Sequence, residues 1–213
     1  IEVAENNVDR FVDVVAALEP TFGGINLEDI KAPECFEIEA KLRAKMDIPV
    51  FHDDQHGTAI IVGAAVLNAV DLAGKTMETI KIVASGAGAA ALACLNLLVS
   101  LGVKRENIWI SDLEGVVYRG RVALMDPWKS VFAQETDKRT LAEIIEGADV
   151  FLGLSAGGVL KPEMVAKMAP QPVIMALANP TPEILPELAR RARAGAIRPD
   201  IVTDQTSADR KST

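Results

Sequence analysis

Aromatic side chains are scarce: six Phe, two Trp and one Tyr make up 4% of the 213 residues, so a core here is built from aliphatic packing. Cysteine is just as thin. Cys35 and Cys94 stand far apart without metal-ligand or redox spacing, which excludes a disulfide framework and suits a reducing, cytoplasmic setting. Both are expected as small buried hydrophobes. Positive charge is also short, with 22 Lys and Arg against 30 Asp and Glu, a net charge of −8 and a pI near 4.9. With no basic stripe to release counterions, nucleic acid is excluded as a partner. Long hydrophobic runs are missing too: the longest, Ala59–Val70, is broken by Gly63 and Asn68 and falls short of ~30 Å of hydrocarbon, so no membrane span is expected. No signal peptide is expected from the first residues given. The start at Ile1 instead of methionine is read as a processed product or a piece with residues ahead of it.

What is present is apolar periodicity. Phe11, Val14, Val15 and Leu18 recur at helical spacing before Pro20, and a strand-like TFGGINLED follows. A second amphipathic helix is predicted after Pro33, with Phe36, Ile38, Leu42 and Met46 on its buried face. Ile48–Phe51 reads as a strand ending in HDDQHGT, which opens a long apolar helix to about Leu72. From Ile80 the pattern alternates: strand Ile80–Ala84, helix Gly88–Leu101, strand Ile108–Asp112, helix Thr140–Glu146, strand Val150–Leu154, a short helix after Pro162, and strand Val173–Leu177. Continuous apolar strands separated by helices imply an α/β fold, a Rossmann-like, doubly wound and mainly parallel sheet with helices on both faces. Glu114–Arg139 interrupts the rhythm and is expected as a surface excursion carrying binding contacts. No internal repeat or low-complexity segment is present.

IKIVASGAGAAALACLNLLVSLG places Gly86, Gly88 and Ala91 in a GxGxxA pattern between strand and helix. Gly86 permits the tight turn, Gly88 lets backbone approach a pyrophosphate, and Ala91 allows close helix–strand packing. The N–H groups of Ala87, Gly88, Ala89 and Ala90 would then face the phosphates at the positive end of the helix dipole. Asp112, ending the next strand, stands where an acid accepts a hydrogen bond from a ribose hydroxyl, and that combined signature indicates dinucleotide binding. Asp112 favours NAD, whereas Arg119, Arg121 or Lys129 in the following loop offer partners for the 2′-phosphate of NADP, and the choice stays open. In LANPT, Asn179 follows a buried strand and reaches nicotinamide or substrate, or else simply forms an Asn-Pro turn.

Glu28 and Asp29 end one strand and Asp53 and Asp54 end another, gathering up to four carboxylates at neighbouring strand ends. Such a cluster repels itself unless a hard divalent cation, Mg²⁺ or Mn²⁺, neutralises it. The bland reading is a set of solvated turn residues or a helix cap. A zinc site of His52 and His56 is disfavoured, since both lie on a turn and are free to satisfy local backbone groups.

The strings GGINLEDIKAPECF, IPVFHDDQHGTAIIVGAA, VASGAGAAALAC, ADVFLGLSAGGVLKPEMV and ALANPTPE together resemble the bacterial, mostly NADP-linked malic enzymes, from near the start to about Glu183. The resemblance implies that Glu28, Asp29 and Asp54 ligate a divalent metal and that Asp53 is a catalytic residue beside the family's lysine. It implies that the turn of Gly86, Ala87, Gly88, Ala89 and Ala90 holds NAD or NADP, and that Asn179 contacts cofactor and substrate. The implied reaction is the metal-assisted oxidation and decarboxylation of malate to pyruvate and CO₂, in a protein that forms a homodimer or larger assembly.

Two departures accompany the resemblance. The family's tyrosine acid and lysine base lie N-terminal to this segment, and the one tyrosine here, Tyr118, falls in the excursion, so the chain reads as catalytically incomplete. Past Ile184 the tail ILPELARRARAGAIRPDIVTDQTSA resembles urocanase instead, which suggests a chimera or a misassembled terminus; a helix Glu183–Ala194 and strand Ile201–Thr203 would still extend the sheet. The expected organisation is a metal-site segment over 1–56, a nucleotide-binding domain over 57–208 and a frayed tail over 209–213. The competing functional reading is a non-catalytic or engineered nucleotide-binding module.

Overall fold

The computed structural model describes residues 1–178. The expectations placed on Asn179, the urocanase-like segment and the tail lie outside the described residues.

The chain begins with a small layer: α1 (Val8–Ala16), β1 (Ile25–Leu27), α2 (Glu34–Lys45) and β2 (Val50–His52). The Asn7 side chain accepts the Arg10 N–H at 3.1 Å and so starts α1. Val12 and Val15 of α1 pack with Leu27, Ile38, Leu42 and Met46. Here the sequence reading needs correcting: Val14 is exposed and Val12 is buried. Apolar residues fall on two faces of α1, and packing against α2 selects the pair three residues apart. Lys41–Asp9 and Lys45–Asp13 pairs bridge the outer edges of the two helices. Strands β1 and β2 run parallel with Leu27 opposite His52. The HDDQHG stretch that follows is a π-helical turn, Asp53–Gly57, running directly into α3 (Thr58–Leu72).

A five-stranded sheet forms from β3 (Ile82–Ser85), β4 (Ile108–Asp112), β5 (Gly115–Val116), β6 (Val150–Gly153) and β7 (Val173–Ala176), in the order β5-β4-β3-β6-β7. All neighbours are parallel except β4 and β5. Successive strand residues point to opposite faces. Ile82, Ile108, Ile110, Val150 and Leu152 join α3 and α4 (Ala89–Ser100) in one core. On the other face Val83, Phe151 and Ile174 pack with Ile144 of α6 (Leu141–Ile144) and Val165 of α7 (Pro162–Val165). This is the doubly wound α/β architecture the alternation predicted, with element ends from Ile80 on shifted by at most two residues.

Glu114–Arg139 is not merely a surface excursion. It adds β5 to the sheet edge and contains the short helix α5 (Pro127–Ser130). Val116, Val117 and Phe132 are fully buried, and so, nearly, are Arg121 and Lys129. The segment returns across the end of β4, where its Arg121 and Lys129 pair with the buried Asp112 carboxylate. Strand β3 lies between β4 and β6, so the winding reverses there and leaves a crevice at the carboxyl ends of the strands, where doubly wound sheets bind ligands.

Candidate functional site

A cavity of about 930 Å³ opens at that crevice. Its floor is Ser85, Gly86, Ala87 and Gly88 from the β3–α4 turn with Ser111 and Asp112 from β4, and its far wall is Ser155 to Gly158 after β6. Leu113, Leu124, Leu141 and Met164 make an apolar rim. Gly86 sits at φ +109, and a Cβ there would stand 2.5 Å from the Leu154 carbonyl oxygen. Its N–H donates to Ser111 O at 2.8 Å. Gly86 is thus wedged between β4 and β6 and serves the tight turn as predicted. Gly88 differs, because a Cβ would meet nothing within 4 Å. It caps α4 without any side-chain acceptor, and the first intrahelical bond is Leu92 N–H to Gly88 O at 3.0 Å. The preceding N–H groups, those of Ala89 and Ala90 included, have no helical partner. An open glycine face beside uncapped amides fits a pyrophosphate, so the residues present suit a dinucleotide.

Asp112 borders the same cavity, but its carboxylate already accepts four donors. These are Arg121 Nη1 (2.9 Å) and Nη2 (2.5 Å), Lys129 Nζ (2.9 Å) and Glu114 N–H (3.0 Å). Burial pushes the Asp112 carboxyl upward, yet the hydrogen bonds from Arg121 and Lys129 outweigh it and hold the group below its ordinary value. A ribose hydroxyl reaching Asp112 must displace or share one of these donors. Lys129 also lines the cavity, so it is the donor able to turn toward a ligand. Arg119, by contrast, is exposed and pairs with Glu135. The Asp112–Arg121–Lys129 cluster is not legible in the sequence, because its cations lie 9 and 17 residues from Asp112 and meet it only where the segment returns over the end of β4.

The acidic residues are brought side by side but not together. With Leu27 opposite His52, Glu28 and Asp29 follow β1 as Asp53 and Asp54 follow β2. Asp54 Oδ2 accepts the backbone N–H of Asp29 at 2.9 Å, and Asp29 adopts φ 59. Asp53 is rolled back by the π-helical turn so that its carboxylate lies against Gly57. Glu28 and Asp29 instead line a separate cavity of about 960 Å³ with N-terminal residues such as Glu2 and Phe11. Among the described residues no three His, Cys, Asp or Glu side chains gather closely enough for one metal ion. The expected gathering of four carboxylates is therefore not seen among the described residues: Asp54 meets the backbone of Asp29, and no three of these side chains come together.

The turn is held from behind. Glu39 of α2, nearly buried, lies 2.6 Å from His56 Nε2 and accepts from Gln55 Nε2 at 3.4 Å. His52 is fully buried, and neither ring nitrogen has a partner among the described residues, so it does not satisfy local backbone as expected. The alternation of β2 turns it inward. Cys35 and Cys94 are free and buried, and burial pushes their thiols to about 11 and about 12. They are inert packing residues, as predicted. No helix among the described residues is long and apolar enough to cross a membrane.

Comparison with known proteins adds family membership. The family described as malic enzyme, NAD binding domain matches residues 55–192, and malic enzyme, N-terminal domain matches residues 2–43. The chain is 73% identical over 197 residues to the NAD-dependent malic enzyme of Rhizobium meliloti, covering 92% of this chain and 26% of that protein. It is 61% identical over 198 residues to the NADP-dependent malic enzyme of Escherichia coli, again covering 92% and 26%. The crystal structure of the NAD-dependent malic enzyme of Thermotoga maritima superposes with a TM-score of 0.83 at 45% identity, over 90% of this chain and 52% of that one. The chain thus spans about a quarter of the length of the first two relatives. With a family match over residues 55–192, a doubly wound sheet and a glycine-lined crevice at its switch point, the chain belongs to the malic enzyme family and carries its NAD-binding portion.

Proposed function

We propose that this chain is the dinucleotide-holding part of an enzyme that oxidatively decarboxylates malate to pyruvate and CO₂. The observation carrying this is the crevice where Gly88 leaves open space in front of the uncapped start of α4. Bound NAD or NADP supplies a hydride acceptor for the malate C2 centre. Gly86 shapes the turn, the amides of Ala87 to Ala90 take the pyrophosphate, and Asp112 with Lys129 meets the adenosine ribose. Lys129 turning outward would favour a 2′-phosphate, whereas a ribose hydroxyl on Asp112 would favour NAD. Asn179 is assigned to cofactor and substrate contact and Asp53 to catalysis through the family resemblance. Mg²⁺ or Mn²⁺ is assigned to Glu28, Asp29 and Asp54 on the same ground, supported by the adjacency of Asp29 and Asp54. Because no three of these side chains gather among the described residues, no reaction step is derived through the ion.

The rest of the reading is proposed with it: a metal-site segment over 1–56, a nucleotide domain over 57–208, cytoplasmic placement and assembly as a homodimer. Titration of the chain with NAD and with NADP, each with and without Mn²⁺, tests the function by calorimetry. Binding of either dinucleotide is expected, and binding of neither removes the reading. Replacing Lys129 with Gln is expected to weaken NADP more than NAD.

A second reading, a non-catalytic or chimeric nucleotide-binding module with a urocanase-like tail, is favoured by one observation. Tyr118 lies under Arg139, with the guanidinium 3.7 Å from its ring centre, and is not among the residues lining the nucleotide cavity. Steady-state malate oxidation by the chain alone would refute this alternative.

A further inference from the structure

The winding reverses between β3 and β6, and a side-chain contact spans the crevice at that point. Ser85, the last residue of β3 and only 5% exposed, sets its Oγ 2.7 Å from the Oγ of Ser155 on the loop after β6. Backbone packing joins the same segments: Leu154 N–H donates to Ser85 O at 2.8 Å, and Gly86 is pressed against Leu154 O. Both serines line the nucleotide cavity. Gly86, Ala87 and Gly88 form one bank, and Ala156, Gly157 and Gly158 the other. Such loops have little side chain with which to fix their own separation, and glycine leaves the backbone free to wander. The hydroxyl pair adds a side-chain tie to the Leu154–Ser85 backbone bond, one residue further into the mouth of the crevice.

Resting on the nucleotide-binding reading above, we infer that Ser85 and Ser155 form a hydroxyl clasp that fixes the crevice width and so positions the pyrophosphate and nicotinamide half of the dinucleotide. The adenosine half lies elsewhere. Asp112 and Lys129 sit at the end of β4, on the opposite side of β3 from β6. The clasp therefore acts on the part of the ligand that crosses from β3 toward β6, and AMP, which stops at the first phosphate, should be indifferent to it.

The test uses the 213-residue chain with Ser85→Ala, Ser155→Ala, the double variant and Ser155→Thr. Affinities for NAD, NADP and AMP are measured by calorimetry beside thermal midpoints. Each alanine variant is expected to bind dinucleotide about three- to tenfold more weakly, the scale of one neutral hydrogen bond. The double variant should lose less than the sum of the two singles, because the bond between the hydroxyls is lost in each single already. AMP affinity should hold, and Ser155→Thr should restore dinucleotide binding. Unchanged dinucleotide affinity in the single variants, losses in the double that equal or exceed the sum of the singles, or parallel loss of AMP and dinucleotide would each overturn the clasp. A wild-type chain that binds none of the three ligands would remove the nucleotide reading itself and the clasp with it.

Discussion

At Gly86 an added Cβ would collide with the Leu154 carbonyl in a backbone already at φ +109, whereas at Gly88 it would enter empty space. The fold constrains the first position and leaves the second open, and under the proposed function it is a bound dinucleotide that needs the second to be glycine. Gly86→Ala is expected to cost about 2–4 kcal/mol of stability from backbone strain and displacement of the β6 loop. Gly88→Ala should leave the unfolding midpoint nearly unchanged yet weaken dinucleotide binding at least tenfold, which urea denaturation and calorimetry together separate. Asp112 poses a different residue-scale question, since removing it strands Arg121 and Lys129 in a buried setting. Asp112→Asn should cost about 3 kcal/mol or more. Its native carboxyl is depressed, so the stabilisation is present at neutral pH and above the unfolded value of about 3.9, and it drains away as pH falls through the lower native value. The variant's stability should accordingly fall less steeply in acid than that of the wild type.

Among the elements, α4 joins the cavity to the core: the Gly86–Gly88 turn that leads into it lines the cavity, while its Leu95 and Leu98 are fully buried against the sheet and α3. Leu98→Ala should destabilise by about 2–5 kcal/mol as cavity formation adds to lost transfer energy. The α1–α2 layer is held by a smaller, separate cluster. Amide exchange in α1 should therefore be faster than in β3 and β6, which are buried on both faces and opened only by larger unfolding. The π-helical turn depends on α2 through Glu39, so Glu39→Ala should loosen Asp53 and Asp54 by removing the acceptor that holds His56 and Gln55. Faster exchange across residues 53–57 would show it.

For the whole molecule, ligand linkage gives the broadest test. A dinucleotide that binds only the folded chain adds about 2.7 kcal/mol at one hundred times its dissociation constant. A clear rise in thermal midpoint with saturating NAD or NADP is expected, and AMP should give a smaller one. The family match also divides the molecule, with residues 2–43 belonging to the N-terminal domain and 55–192 to the NAD-binding domain. Nearly all of the crevice lies within the second, and Pro33, just ahead of α2, adds a wall from the first.

Periodicity and composition by themselves determined the doubly wound sheet, the order of its helices and strands, the glycine turn at Gly86 to Gly88 and the buried thiols. Each is a local property, set by side-chain period, by allowed φ or by the apolar cost of exposure. The tertiary structure alone decided which acids meet, that Val12 and not Val14 of α1 is buried, that Arg121 and Lys129 neutralise Asp112, and that Ser85 touches Ser155. Those contacts join residues far apart in sequence, and they follow from strand order, a π-helical turn and the return of a loop over the sheet edge. No residue's neighbours along the chain encode the position of a strand folded against it from elsewhere.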